Sequence, residues 1–279
     1  MLCMLYALVM MLCIGTARAE GEGLPYVVQE QSFSEGDRSL YGRIYVPEQG
    51  DGEEKWPAVI FSHGFGGDHS VGEPYARALA GQGYVVYCFD FCGGSPGSRS
   101  SGSTLEMSIF TEVEDLAMVM DGIEKLPYVD ADRLFLMGTS QSGVVSAILA
   151  AREPQRVKGL VLLYPAFVLV DTAQQMFDTP EEIPDTIFHL WMTVGRAYFE
   201  PLLDYDVYAE IAAYPEEVLI LHGDQDSIVP LSYSLRALEA YPSARLETIH
   251  GAGHGFYGED AGLALQYISD YLAARSHKE

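Results

Sequence analysis

The chain contains no asparagine, so it offers no Asn-X-Ser/Thr glycosylation acceptor. Cationic side chains are scarce: 16 Lys plus Arg stand against 40 Asp plus Glu, for a net charge of −24. So acidic a surface repels phosphate backbones and anionic headgroups, which argues against nucleic acid and a stable membrane partner. Cysteine is nearly missing. Cys3 and Cys13 fall in the apolar N-terminal stretch, which leaves Cys88 and Cys92. An i, i+4 pair on a straight strand lies about 13 Å apart, too far to bridge. A disulfide would need a turn after Asp90, which Gly93 and Gly94 permit; two free or buried thiols are the expectation. The spacing is not C-x-x-C, which speaks against a metal or redox motif. After the first nineteen residues, no apolar run is long enough to span a membrane.

The beginning of the chain differs from the rest. Met1 to Gly15 is apolar, and Thr16-Ala17-Arg18-Ala19 follows as an A-x-A cleavage signature. This predicts a secretory signal peptide cleaved after Ala19 and a secreted or extracytoplasmic mature chain. The apolar stretch is shorter than the roughly 20 residues that span a bilayer. Its leading end carries no Lys or Arg, so an uncleaved anchor stays as the alternative.

The whole chain is 48% hydrophobic, and the remainder, 20–279, fits one domain with one core. Runs read as strands (26–33, 40–46, 58–61, 84–89, 134–137, 160–163, 218–221 and 245–249) alternate with helical patterns at 73–82, 108–125, 142–152, 231–240 and 261–274. Continuous apolar strands alternating with amphipathic helices predict an α/β fold, a mostly parallel sheet flanked by helices. The first two strands could form an edge hairpin. Residues 165–215 break the rhythm with five prolines and several aromatics. They read as a cap over the site or, alternatively, as a surface excursion.

Three segments carry chemistry. Leu134 to Gly143 reads as strand, tight turn and helix start, with Gly138-Thr139-Ser140-Gln141-Ser142 at the turn. That context is a nucleophile elbow presenting Ser140, with Ser142 where a second glycine is usual. His222-Gly223-Asp224-Gln225-Asp226 follows another strand, and Asp226 can accept a histidine Nδ1–H and fix its tautomer. Asp224 is expected to shape the turn. The D-x-D look of this stretch lacks the glycine and terminal glutamate of a calcium loop, so no metal is expected. Gly253-His254-Gly255 follows the last strand, and His254 is the candidate general base. The backbone N–H groups of Phe65, in the glycine-rich loop 63–67, and of Gln141 are the candidate oxyanion hole. His63 is expected to be structural.

With these segments in hand, the chain resembles the α/β-hydrolase superfamily and, within it, the bacterial cinnamoyl (feruloyl) esterases. The matching stretches are HGFGG at 63–67, FDFCGGSPGS at 89–98, GTSQSG at 138–143, HGDQDSIVP at 222–230 and GAGHGF at 251–256. The resemblance implies an eight-stranded sheet, a small cap and no cofactor. It also implies cap side chains that orient a phenolic acyl group, and Asp171, Gln175 and Tyr198 resemble those contacts by position. The departures are Ser142 and Cys92. The expected activity is carboxylic-ester hydrolysis on a small-molecule or polysaccharide-linked ester. A serine peptidase or acyl-aminopeptidase on the same fold is the alternative, and a non-catalytic binding module is a third.

Overall fold

The computed structural model describes residues 23–48 and 55–276; the signal-peptide reading of residues 1–19 falls outside them. Ten strands are seen among the described residues. β1 (Tyr26–Glu35) and β2 (Arg38–Pro47) form the edge hairpin, paired antiparallel throughout. Its two-residue connection is Gly36-Asp37, where Gly36 takes φ +58°, a backbone state glycine reaches without steric cost. β3 (Trp56–Ser62), β4 (Val85–Phe89), β5 (Val129–Thr139), β6 (Gly159–Leu163), β9 (Val218–Gly223) and β10 (Ala244–Ile249) run parallel. The eight-stranded sheet has the order β1-β2-β4-β3-β5-β6-β9-β10. This is the mostly parallel, helix-flanked sheet that the strand–helix rhythm predicts, with the eight strands that the resemblance to α/β hydrolases implies.

Side-chain alternation sorts the core into two halves, one per sheet face. Ile60, Tyr87, Leu136, Leu162 and Ile220 face α2 (Ile109–Glu124) and α3 (Gln141–Arg152). Their neighbours Phe61, Cys88, Met137, Leu163 and Leu221 face α1 (Glu73–Gly81) and α7 (Glu259–Arg275). Both faces are covered, which is why β4, β6 and β9 are buried at every position. α2 begins where its sequence says it should. Ser108 and Thr111 form a reciprocal capping box, and Ile109, Val113, Leu116, Met120 and Ile123 make the buried stripe.

Two topological features place the site. After β3 the chain moves outward to β4, then returns to the other side of β3 as β5. Strand order reverses there, so the loops after β3 and β5 sit side by side at the carboxyl ends of the strands. β6 and β9 are also neighbours, and residues 165–215 are the connection between them. That connection holds α4 (Val168–Met176), a separate hairpin of β7 (Thr186–His189) and β8 (Met192–Gly195), and α5 (Val207–Ile211). α6 (Leu231–Ala240) then links β9 to β10. Among the described residues no helix is long and apolar enough to cross a membrane.

Candidate active site

Ser140 stands between the last residue of β5 and the first of α3 at φ 51°, ψ −119°. Few non-glycine residues adopt that conformation, and it survives only where the surroundings impose it. Here the Ser140 N–H donates to Leu163 O at 2.9 Å, and Ser140 O accepts the Ala166 N–H at 2.9 Å. A Cβ at Gly138 would lie 2.2 Å from Ser142 O, so only hydrogen fits.

Ser142, the departure from a second glycine, closes the turn. Its buried hydroxyl donates to Ser62 O at 2.6 Å and accepts the Thr139 N–H at 2.9 Å. Ser142→Ala should therefore cost about 1–3 kcal/mol by stranding a buried N–H, read as a lower midpoint in urea unfolding.

His254 Nε2 lies 2.9 Å from Ser140 Oγ, and its Nδ1 lies 2.7 Å from Asp226 Oδ2. The Asp226 side chain is fully buried, while the His254 side chain is 14% exposed and Ser140 is partly exposed. The reactive end of the line faces solvent and the anionic end does not. Asp226 Oδ1 accepts the N–H groups of Ile228 and Val229, both at 2.9 Å. Burial alone would raise the Asp226 carboxyl. Hydrogen bonds from His222, His254 and the Val229 N–H outweigh it and hold the group well below the ordinary carboxylate range.

Two contributors carried no assigned role in the sequence. His222, fully buried, has Nε2 3.2 Å from Asp226 Oδ2 and 2.9 Å from Val229 O, with Nδ1 2.7 Å from Ser234 Oγ. Both neighbours of Nε2 are acceptors, so the proton sits on Nε2 and Ser234 donates to Nδ1. The available signal was a histidine continuing the apolar strand 218–221, four residues before Asp226. Tyr164, at φ 40°, lays its ring edge-on to His254 with centroids 4.9 Å apart. Asp224 instead accepts the Gly251 N–H at 2.7 Å and pairs with His250, shaping the loop that leads to His254.

The loop after β3 lies directly on Ser140. A Cβ at Gly64 would come within 2.9 Å of Ser140 Cβ and 3.2 Å of Thr139 O. Phe65 follows, and Gln141 opens α3, where first-turn N–H groups have no partner inside the helix. Among the described residues, no turn, loop or cap bond uses the N–H of either residue. Gly64→Ala should cut kcat about a hundredfold by displacing Ser140 against this loop, with the folded far-ultraviolet spectrum retained. His63 is buried and accepts the Phe91 N–H through Nε2 at 3.2 Å; burial lowers its pKa, leaving a neutral structural ring.

The three insertion residues do not act as a set. Asp171 accepts from Tyr233 at 3.0 Å and from Arg236 at 3.2 Å. It lines a surface groove of about 360 Å³ whose lining includes none of Ser140, Asp226 and His254. Gln175 is exposed. Tyr198 is buried, and its hydroxyl donates to Gln141 Oε1 at 2.7 Å. Cys88 and Cys92 are both free; burial, then the Asp115 charge, pushes the Cys92 thiol up to about 11. Asp68, His69 and Asp90 bring ligand-type atoms within 4.8 Å of one another. The Asp90 carboxylate accepts the N–H groups of His69 and Arg99, and the Asp68 carboxylate accepts the Ser70 N–H at 2.8 Å.

The family model for serine aminopeptidase S33 matches residues 53–197. A Variovorax paradoxus protein named, provisionally, as the carbamate hydrolase RutD is 24% identical, over 84% of this chain and 96% of its own. An uncharacterised Mycobacterium tuberculosis protein is 31% identical, over 78% of this chain and 69% of its own. The structure of Est1E from Butyrivibrio proteoclasticus with ferulic acid bound superposes with a TM-score of 0.81 at 25% identity, covering 89% of this chain and all of that one.

Proposed function

The chain belongs to the serine aminopeptidase S33 family of α/β hydrolases, and from that footing we propose that it is a serine carboxylic-ester hydrolase working through an acyl-enzyme on Ser140. The observation that carries this reading is the unbroken line Ser140–His254–Asp226, at 2.9 and 2.7 Å, on a strained elbow beside a glycine-rich loop. With Nδ1–H held by the Asp226 carboxylate, His254 Nε2 is free to accept the Ser140 proton. Ser140 Oγ attacks the ester carbonyl carbon, and the carbonyl π electrons move onto oxygen. The N–H groups of Phe65 and Gln141 hold that oxyanion. As the carbonyl re-forms, the C–O bond to the alcohol breaks and His254 gives its proton to the leaving alkoxide. Water then repeats the sequence: His254 takes its proton, the hydroxyl attacks the acyl carbon, and Ser140 leaves with the proton returned.

For the acyl group we propose a hydroxycinnamate. Two features support this: the likeness to Est1E with its bound ferulic acid, and the aromatic cluster over the loop after β3. In that cluster Phe65 packs against His189, Trp191 and Tyr198 at centroid distances of 5.5–5.7 Å. The same proposal puts the mature chain outside the cytoplasm, on the strength of the A-x-A signature ending at Ala19. The family model favours a second reading, an aminopeptidase. Methyl ferulate, acetate and butyrate esters and an aminoacyl amide, offered to the purified protein, separate these. Ferulate turnover well above acetate is the expected result. Ferulate no better than acetate leaves a general esterase, and amide hydrolysis in excess of every ester establishes the peptidase.

A further inference from the structure

Gln141 gives the oxyanion its backbone N–H in this reading, yet its side chain is also engaged. The residue is 1% exposed, as are Glu112 and Tyr198. Gln141 Nε2 donates to Glu112 Oε2 at 2.9 Å, and Gln141 Oε1 accepts the Tyr198 hydroxyl at 2.7 Å. The three residues come from three elements: α2, α3 and the inserted segment. The Tyr198 ring lies edge-on to Phe65 with centroids 5.5 Å apart. A single phenol therefore touches both residues whose N–H groups are assigned to the oxyanion.

Resting on the esterase reading above, we propose that Glu112 and Tyr198 are positioning residues, which hold the Gln141 N–H on the oxyanion through the Gln141 side chain. Apolar side chains could fill the same space without burying an amide, a carboxyl and a phenol. Fully satisfied buried networks instead fix one arrangement of the elements they join. Burial, opposed by the Gln141 hydrogen bond and reinforced by Asp115, pushes the Glu112 carboxyl up to about 8. At neutral pH it is an uncharged brace; once ionised, it sets a negative charge behind the N–H that must hold another. The titratable groups facing it among the described residues are Asp115, one turn along α2 and paired with Arg38 of β2 at 3.3 Å, and Tyr198, which burial keeps protonated.

The test is kcat and KM for p-nitrophenyl acetate from pH 6 to 9.5 in wild type, Glu112→Gln, Glu112→Leu and Tyr198→Phe. Glu112→Leu and Tyr198→Phe should lower kcat about tenfold or more with KM changed less than about threefold, since the lost interaction bears on the transition state. Glu112→Gln, which keeps the acceptor and cannot ionise, should restore kcat at pH 7 and abolish the fall above pH 8. Wild-type kcat in Tyr198→Phe, or a pH profile that Glu112→Gln leaves unchanged, overturns the proposal; both variants are near-isosteric, so the test does not hang on Glu112→Leu folding. Failure of Ser140 to react with a fluorophosphonate in the wild type overturns the esterase reading itself. Normal labelling with unaltered rates and profiles overturns only the brace.

Discussion

Ser140→Ala is expected to lower turnover by about 10⁶-fold and to end labelling by a fluorophosphonate, while the thermal midpoint barely moves. The kinetic loss follows from the geometry around one atom. Ser140 Oγ is the hydroxyl bonded to His254 Nε2, and the rest of the elbow is held through backbone N–H and C=O groups that alanine keeps. The strain at φ 51° belongs to the backbone and persists in the variant. Stability and activity should therefore separate cleanly. Residues that act as one unit are not additive, so Ser140→Ala with His254→Ala should be scarcely slower than Ser140→Ala alone. Labelling that survives in Ser140→Ala would locate the nucleophile elsewhere and remove the basis for the mechanism.

Asp226→Asn should fold and turn over about 10⁴-fold more slowly. The direction of the new amide is dictated by its surroundings. The N–H groups of Ile228 and Val229 both point at Oδ1, so the amide oxygen takes that place. The NH2 group is then turned toward His254 and His222, where the carboxylate formerly accepted two ring N–H groups. Donating to His254 Nδ1, it places the imidazole proton on Nε2, against Ser140 Oγ, and the base can no longer take the hydroxyl proton. Steady-state kinetics with ferulate or acetate esters measure the loss. Near-normal turnover would require another acid beside His254, and Asp224 is already engaged by Gly251 and His250.

The centre of the sheet is legible because its inner strands are buried on both faces. Ala58 to Phe61, Leu134 to Met137 and Val218 to Leu221 admit little but apolar side chains, and the helices between them show their stripes. The convergence of Ser140, His254 and Asp226 was legible for a related reason: each follows a strand, and strand ends are gathered at one rim by topology. Inside the insertion these regularities fail. The β7–β8 hairpin turns at Leu190-Trp191, with Leu190 at φ 54°, and neither glycine nor asparagine announces it. Asp171, Gln175 and Tyr198 resemble family contacts only by position, along a segment whose path the sequence pattern does not fix. Tyr198 is buried against Gln141, Asp171 answers Arg236, and Gln175 faces solvent. The part played by His222 escaped for a different reason: its burial is ordinary for a strand terminus, and only its distance to Asp226 gives it meaning.

Because β6 and β9 are adjacent, residues 165–215 leave and rejoin the sheet at neighbouring points. Such a segment can be lengthened, shortened or exchanged for another without disturbing the strands that carry Ser140 and His254, so new specificities could be grafted onto an untouched reaction centre. The graft has two conditions, the first being that it refill the core now occupied by Phe167, Val194, Phe199 and Tyr214. A replacement must also bring a hydrogen-bond donor to the place of the Tyr198 hydroxyl, since Gln141 Oε1 would otherwise be sealed in with nothing to meet it.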